Sequence, residues 1–215
     1  DATQWVGFRD ALRLELRHHL PFTVIVTAVT AVAASVAVRT WPALVESGAS
    51  FEGAHVAHVF VSAVATTAVG SRQRGGPVLA AGLGIAGSIV FCTLSDILLP
   101  YAGALAFGTP VSLDVEVLHA PVKVGLAAVA GAAGGFAHMR RLSICSHSAH
   151  VLVSSLASVL YVHTHAAGAW ADWAHAPEMA AVLFFSVFLP CCMSDLVMPV
   201  ACTHCDFRGR DNPAS

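Results

Sequence analysis

The chain has 215 residues and a formal net charge of -2; 56% of its residues are hydrophobic and only 11% are charged. A soluble domain carries about 25% charged residues, and a single aqueous globule could not hide this much apolar surface, so the bilayer is the solvent to reason with. No basic or acidic tract marks a nucleic-acid partner.

Residues Asp1 to Leu20 intersperse Trp5, Val6, Leu12 and Leu16 with Arg9, Arg13 and Arg17. This is the pattern of a short amphipathic helix lying on a membrane surface. Six apolar runs follow, at about Pro21–Val38, Ala54–Gly70, Pro77–Tyr101, Pro121–His138, His147–His163 and Pro177–Ala201. Each has the length of a bilayer-crossing helix, roughly 17 to 25 residues. The runs are continuous and do not alternate, which predicts helices and not barrel strands. Prolines at 21, 77, 121 and 177 open four of them, where the first helical residues need no donor. The glycines between Gly82 and Gly87 and between Gly131 and Gly135 suit close helix packing.

Positive charge in loops stays on the cytoplasmic side. With six spans, one side holds Arg9, Arg13, Arg17, Arg72, Arg74, Arg140, Arg141, Arg208 and Arg210; the other holds Arg39, and Lys123 sits just inside the fourth span. The expected placement is a multi-pass protein of the cytoplasmic (inner) membrane with both termini in the cytoplasm.

Two stretches repeat. His55-Val56-Ala57-His58-Val59-Phe60-Val61-Ser62 recurs as His147-Ser148-Ala149-His150-Val151-Leu152-Val153-Ser154, and Leu94-Ser95-Asp96 with Pro100 recurs as Met193-Ser194-Asp195 with Pro199. A looser pair, Glu15 with His18 and Glu116 with His119, precedes a proline-led run in each copy. The chain therefore reads as an all-α polytopic membrane bundle of two three-helix units, 1–108 and 109–215. Three is odd, so the second unit enters the membrane from the opposite side, an inverted-topology repeat. On that topology His55, His58, Asp96, Glu116 and His119 gather near the outer face. His147, His150, Asp195, Glu15 and His18 gather near the inner face.

Ionisable residues inside a membrane cost several kcal/mol unless paired or coordinated, and they mark pathways or sites. Histidines three apart share one helix face, close enough to hold one metal or two adjacent ones. Imidazoles with carboxylates form a borderline donor set for zinc, iron, manganese, cobalt or nickel and not for calcium. These ten residues are the candidate ligands of divalent transition-metal ions. Ser95-Asp96 and Ser194-Asp195 have a second reading, as devices that bond backbone groups freed by the proline beyond them. The tail Cys202-Thr203-His204-Cys205 is a further candidate for a soft metal, while the other cysteines read as buried thiols or soft ligands and not as a disulfide framework.

The segments HVFVSAVATT and FCTLSDILLPYAG, then HVLVSSLAS and CCMSDLVMP, resemble a group of prokaryotic multi-pass proteins labelled heavy-metal exporters or permeases. The resemblance covers most of the chain and implies that His55, His58, Asp96, His147, His150 and Asp195 handle metal. The leading expectation is a transition-metal transporter or exporter with two pseudo-symmetric His/carboxylate sites. The alternatives are a membrane-embedded metalloenzyme or redox protein using the same clusters, and an accessory subunit of a larger membrane complex. The small size is also consistent with a homo-oligomer.

Overall fold

The computed structural model describes residues 21, 24–33, 35–37, 39–43, 48–72, 76–137, 145–166 and 175–194, without the side chains of 72, 145–148, 176 and 192. Glu15, His18, Asp195 and the Cys202–Cys205 tail lie outside the described residues, as does the His147 side chain. Among the described residues every regular element is helical and there is no strand, in keeping with the all-α expectation.

The helices are α1 (Val24–Ala37), α2 (Ala49–Arg72), α3 (Gly76–Ala106), a single turn α4 (Glu116–His119), α5 (Pro121–Ala137), α6 (Cys145–His165) and α7 (Ala176–Cys192). Each long helix falls on one of the apolar runs. Over Ala49–Ser71 and Gly76–Ala106 the chain is long and apolar enough to cross a membrane. Helices α1, α5 and α7 are apolar but shorter. Helix α6 has 21 residues and carries Ser154, Ser155, Ser158, His163, Thr164 and His165.

Local chemistry sets the ends. Helix α3 stops at a left-handed Gly108 (φ 74), with Gly108 N–H donating to Leu105 C=O and Thr109 N–H to Ala104 C=O. This is the Schellman arrangement, in which glycine takes the conformation that a Cβ would strain. Inside α3 the residues Leu94–Leu98 form a π turn just ahead of Pro100. Proline has no N–H to give and its ring crowds the carbonyl four residues back; the wider π turn absorbs the misfit and rotates Ser95 and Asp96 into the protein.

Helix α2 is the centre, packed against α3, α5 and α6, while α7 closes on α6 and on the second half of α3. Glycines permit the tightest contacts. A Cβ on Gly131 would stand 2.3 Å from the Phe60 carbonyl oxygen, and one on Gly135 would stand 2.8 Å from the Val64 carbonyl oxygen.

Beside an apolar core, many hydroxyl side chains are buried and many large apolar ones face outward. Thr27, Thr30 and Ser35 of α1 are buried while its Val24, Ile25, Val29 and Val32 face outward. The same holds elsewhere: Ser62, Thr66, Thr67, Ser154, Ser155 and Ser158 are buried, whereas Val78 is 85% exposed and Val122, Leu126 and Leu152 are also exposed.

Replacing Gly131 with alanine forces α2 and α5 apart, and the expected loss of stability is about 1–3 kcal/mol. Gly125→Ala, which meets nothing within 4 Å, is expected to be neutral. Thermal unfolding of the two variants in detergent compares them, and equal midpoints would show that the α2–α5 contact is not as close as described.

Candidate metal centre

His55 and His58 stand one turn apart on α2, so both imidazoles face the π turn of α3. Asp96 is fully buried there. Its carboxylate accepts from His55 Nδ1–H at 2.9 Å and from His58 Nδ1–H at 2.8 Å. Ser95 Oγ donates to Oδ1 at 2.7 Å and Ser154 Oγ approaches the same oxygen at 3.5 Å. Burying a carboxylate this completely is tolerable only with such a set of donors.

The tautomer follows from the partners. With Nδ1–H directed at Asp96, the Nε2 atoms of His55 and His58 are both buried without a hydrogen-bond partner, and in the neutral rings they would carry the lone pairs. A carboxylate holding one ring nitrogen while the other is left bare is the arrangement that orients metal-binding histidines.

His150 of α6 faces His58 with ring centroids 4.7 Å apart. Cys92 of α3 joins them, and the candidate ligand atoms of His58, Cys92 and His150 all lie within 4.8 Å of one another. All three residues are buried, and Cys92 is a free thiol. Cys191 of α7, also buried and free, lies beside both imidazoles, close enough to interact with them, though no group completes a hydrogen bond to His58 Nε2. A histidine and cysteine set of this kind could hold a transition metal.

Hydroxyls flank the centre in two matching sets. Ser62 and Thr66 of α2 reach Ser194 Oγ at 3.3 and 3.0 Å. Ser154 of α6 donates to Ser95 Oγ at 3.4 Å, and Ser158 donates to the Ser95 carbonyl at 3.0 Å. Ser62 and Ser154 are equivalent in the repeat, as are Ser95 and Ser194. Met193 and Ser194 also lie in a π turn, as Leu94 and Ser95 do.

The other candidates divide. Glu116 is buried and close enough to His55 to interact electrostatically. Burial, then the charge of Glu52, holds its carboxyl above the ordinary range. His119 is not part of the group: its side chain is 68% exposed and it pairs with Asp114 at 2.5 Å. The reason is the brevity of α4, a single turn that aims Glu116 inward and His119 away. Asp114 also faces His165 Nε2 at 3.7 Å, and Glu52 pairs with Lys123.

Cys92 and Cys191, read from the sequence only as buried thiols or soft ligands, were not among the ten candidate ligands. The available signal is that each stands four residues before the aspartate of its copy, Cys92 before Asp96 and Cys191 before Asp195. His58 and His150, expected at opposite faces, meet instead. His58 lies nine residues after Ala49, about 14 Å along the helix axis, which carries it to the level where α2 crosses α6.

Among known proteins, no family model, curated protein or solved structure matches the chain.

Asp96→Ala would leave two buried imidazole N–H groups without an acceptor, and the expected cost is about 3–5 kcal/mol. Denaturant unfolding in detergent measures it; a change under about 1 kcal/mol would contradict the pairing described. Glu116 supplies a pH test. Its carboxyl is raised in the folded protein, so the folded state holds the proton more tightly than the unfolded state. Its contribution is therefore full below the unfolded pKa, about 4.3, and is lost as pH rises through the folded value. Glu116→Gln should flatten the fall in stability between acid and neutral pH, and an unchanged profile would count against the burial of this carboxyl.

Proposed function

We propose that the chain is a six-span protein of the cytoplasmic membrane, built as two inverted three-helix repeats, that binds a divalent transition metal between its halves and moves it across the bilayer. The observation that carries this reading is the buried meeting of His58, Cys92 and His150, contributed by both halves of the chain, with ligand atoms within 4.8 Å of one another.

The membrane setting is supported by the outward Val, Ile and Leu side chains and the inward hydroxyls and imidazoles. Lipid offers no penalty to the first and cannot satisfy the second. The inverted repeat is supported by the matching hydroxyl contacts across the two copies and by π turns at both Ser-Asp elements. Transport is favoured over a fixed structural metal because the centre sits between the repeats beside the π turn of α3, next to irregular helix of the kind on which transporter sites are built. Asp96 then acts on the metal through His58, its oxygens being engaged by His55, His58 and Ser95. Glu116 interacts with His55, and the proposed topology would put both on the approach from the outer face.

Elemental analysis of detergent-purified protein, wild type beside a His58→Ala/His150→Ala variant, tests the centre. One metal per chain in the wild type and none in the variant is expected; equal content would end the metal reading. Metal flux into proteoliposomes tests transport, and Asp96→Asn should lower it at least tenfold while the protein still purifies as a folded species. Metal bound by the wild type with no flux would leave a metal-binding protein that does not transport. Reporter fusions should locate both termini in the cytoplasm, and termini on opposite sides would exclude the six-span topology.

A further inference from the structure

The three mutually close ligands are an incomplete set for a protein of this internal symmetry. In the repeat His58 corresponds to His150 and Cys92 to Cys191. The centre holds both histidines and one cysteine of these pairs within 4.8 Å, and Cys191 is buried beside both imidazoles. His58 Nε2 is buried with no hydrogen-bond partner. We propose that Cys191 is the fourth ligand of a two-histidine, two-cysteine site, and that the site takes a thiophilic divalent cation of the zinc and cadmium class.

The proposal rests on the metal-binding reading above and deepens it by naming the donors and the cargo. Tetrahedral ligands at about 2.0–2.3 Å from zinc stand roughly 3.3–3.8 Å apart, so His58, Cys92 and His150, within 4.8 Å of one another, would close by about 1 Å around the ion while Cys191 moves in to complete the shell. Two nitrogen and two sulfur donors in tetrahedral array suit zinc and its heavier relative. Hard cations such as magnesium, calcium and manganese require oxygen donors. The nearest described carboxylate, that of Asp96, is already taken up by His55, His58 and Ser95.

Charge points the same way. On binding, each thiol gives up its proton to water, two protons per ion, and the two thiolates neutralise a divalent cation while the imidazoles stay neutral. A monovalent ion would leave one buried thiolate charge uncompensated in addition to that of Asp96, which a low-dielectric interior penalises.

Cobalt(II) is the probe, because its visible bands report tetrahedral geometry and its near-ultraviolet charge-transfer band reports thiolate ligands. Detergent-purified wild type should bind one cobalt per chain with both signals. Zinc and cadmium should displace it, and manganese at the same concentration should not. Cys191→Ser and Cys92→Ser should each roughly halve the charge-transfer band, and the double variant should abolish it. A band undiminished in Cys191→Ser, or displacement by manganese as effective as that by zinc, overturns the proposal while leaving the metal centre standing. A wild type that binds no cobalt overturns the metal reading itself. Should either serine variant fail to fold, X-ray absorption at the zinc edge of the zinc-loaded wild type decides: two sulfur and two nitrogen neighbours support the site, and a shell without two sulfurs overturns it.

Discussion

A carboxylate with no access to water organises the middle of this protein. Asp96 is buried completely, and its charge is held by two imidazoles from α2 and a hydroxyl from its own turn. Each of those donors is committed in turn. The rings must lie one helical turn apart, α2 must face the π turn, and the turn must open ahead of Pro100 to aim the side chain inward. A shift in any of these parts strands a buried charge, which is far more costly than losing a surface pair.

The same constraint orients the chemistry. Because Asp96 takes the Nδ1 protons, the opposite ring nitrogens are bare, and that of His58 is buried near Cys92 and His150. In the proposed metal site Asp96 would act by directing a neighbouring imidazole, a role that donor counting from sequence assigns to ligation instead. His55, held by the same carboxylate, stacks on Phe51, whose ring in turn meets Tyr161 and His165. Tyr161 donates to the Ser112 carbonyl, tying the 107–115 connection to α6. In the proposed bilayer setting no hydrophobic force draws the helices together, so hydroxyl contacts and glycine-mediated close approach carry the packing. Gly131 and Gly135 against α2 and the Ser95–Ser154 and Ser62–Ser194 contacts are of these two kinds.

How far the site can be read from sequence differs residue by residue. The helices follow from continuous apolar runs, and their starts at Pro121 and near Pro77 follow from proline's tolerance of the first turn. The association of His55 and His58 with Asp96 is legible because the same three residues recur in order. Cys92 and Cys191 read only as buried thiols or soft ligands because a cysteine in an apolar run resembles any small buried residue, and only its fixed distance from the aspartate distinguishes it. His119 misled because a Glu-x-x-His spacing implies a shared face only where the helix continues, and α4 ends after one turn.

The amino-acid sequence by itself determined the helical class, the approximate positions of the long helices and the repetition of one polar pattern, because these depend on neighbours in the chain and on periodicity. Tertiary structure alone decided that His58 meets His150 and not only its own copy's partners, that the two thiols stand beside them, and that Asp96 supports the imidazoles. Those outcomes depend on the depth at which helices cross and on the rotation that the π turn imparts. Both are properties of packed helices that no local pattern encodes.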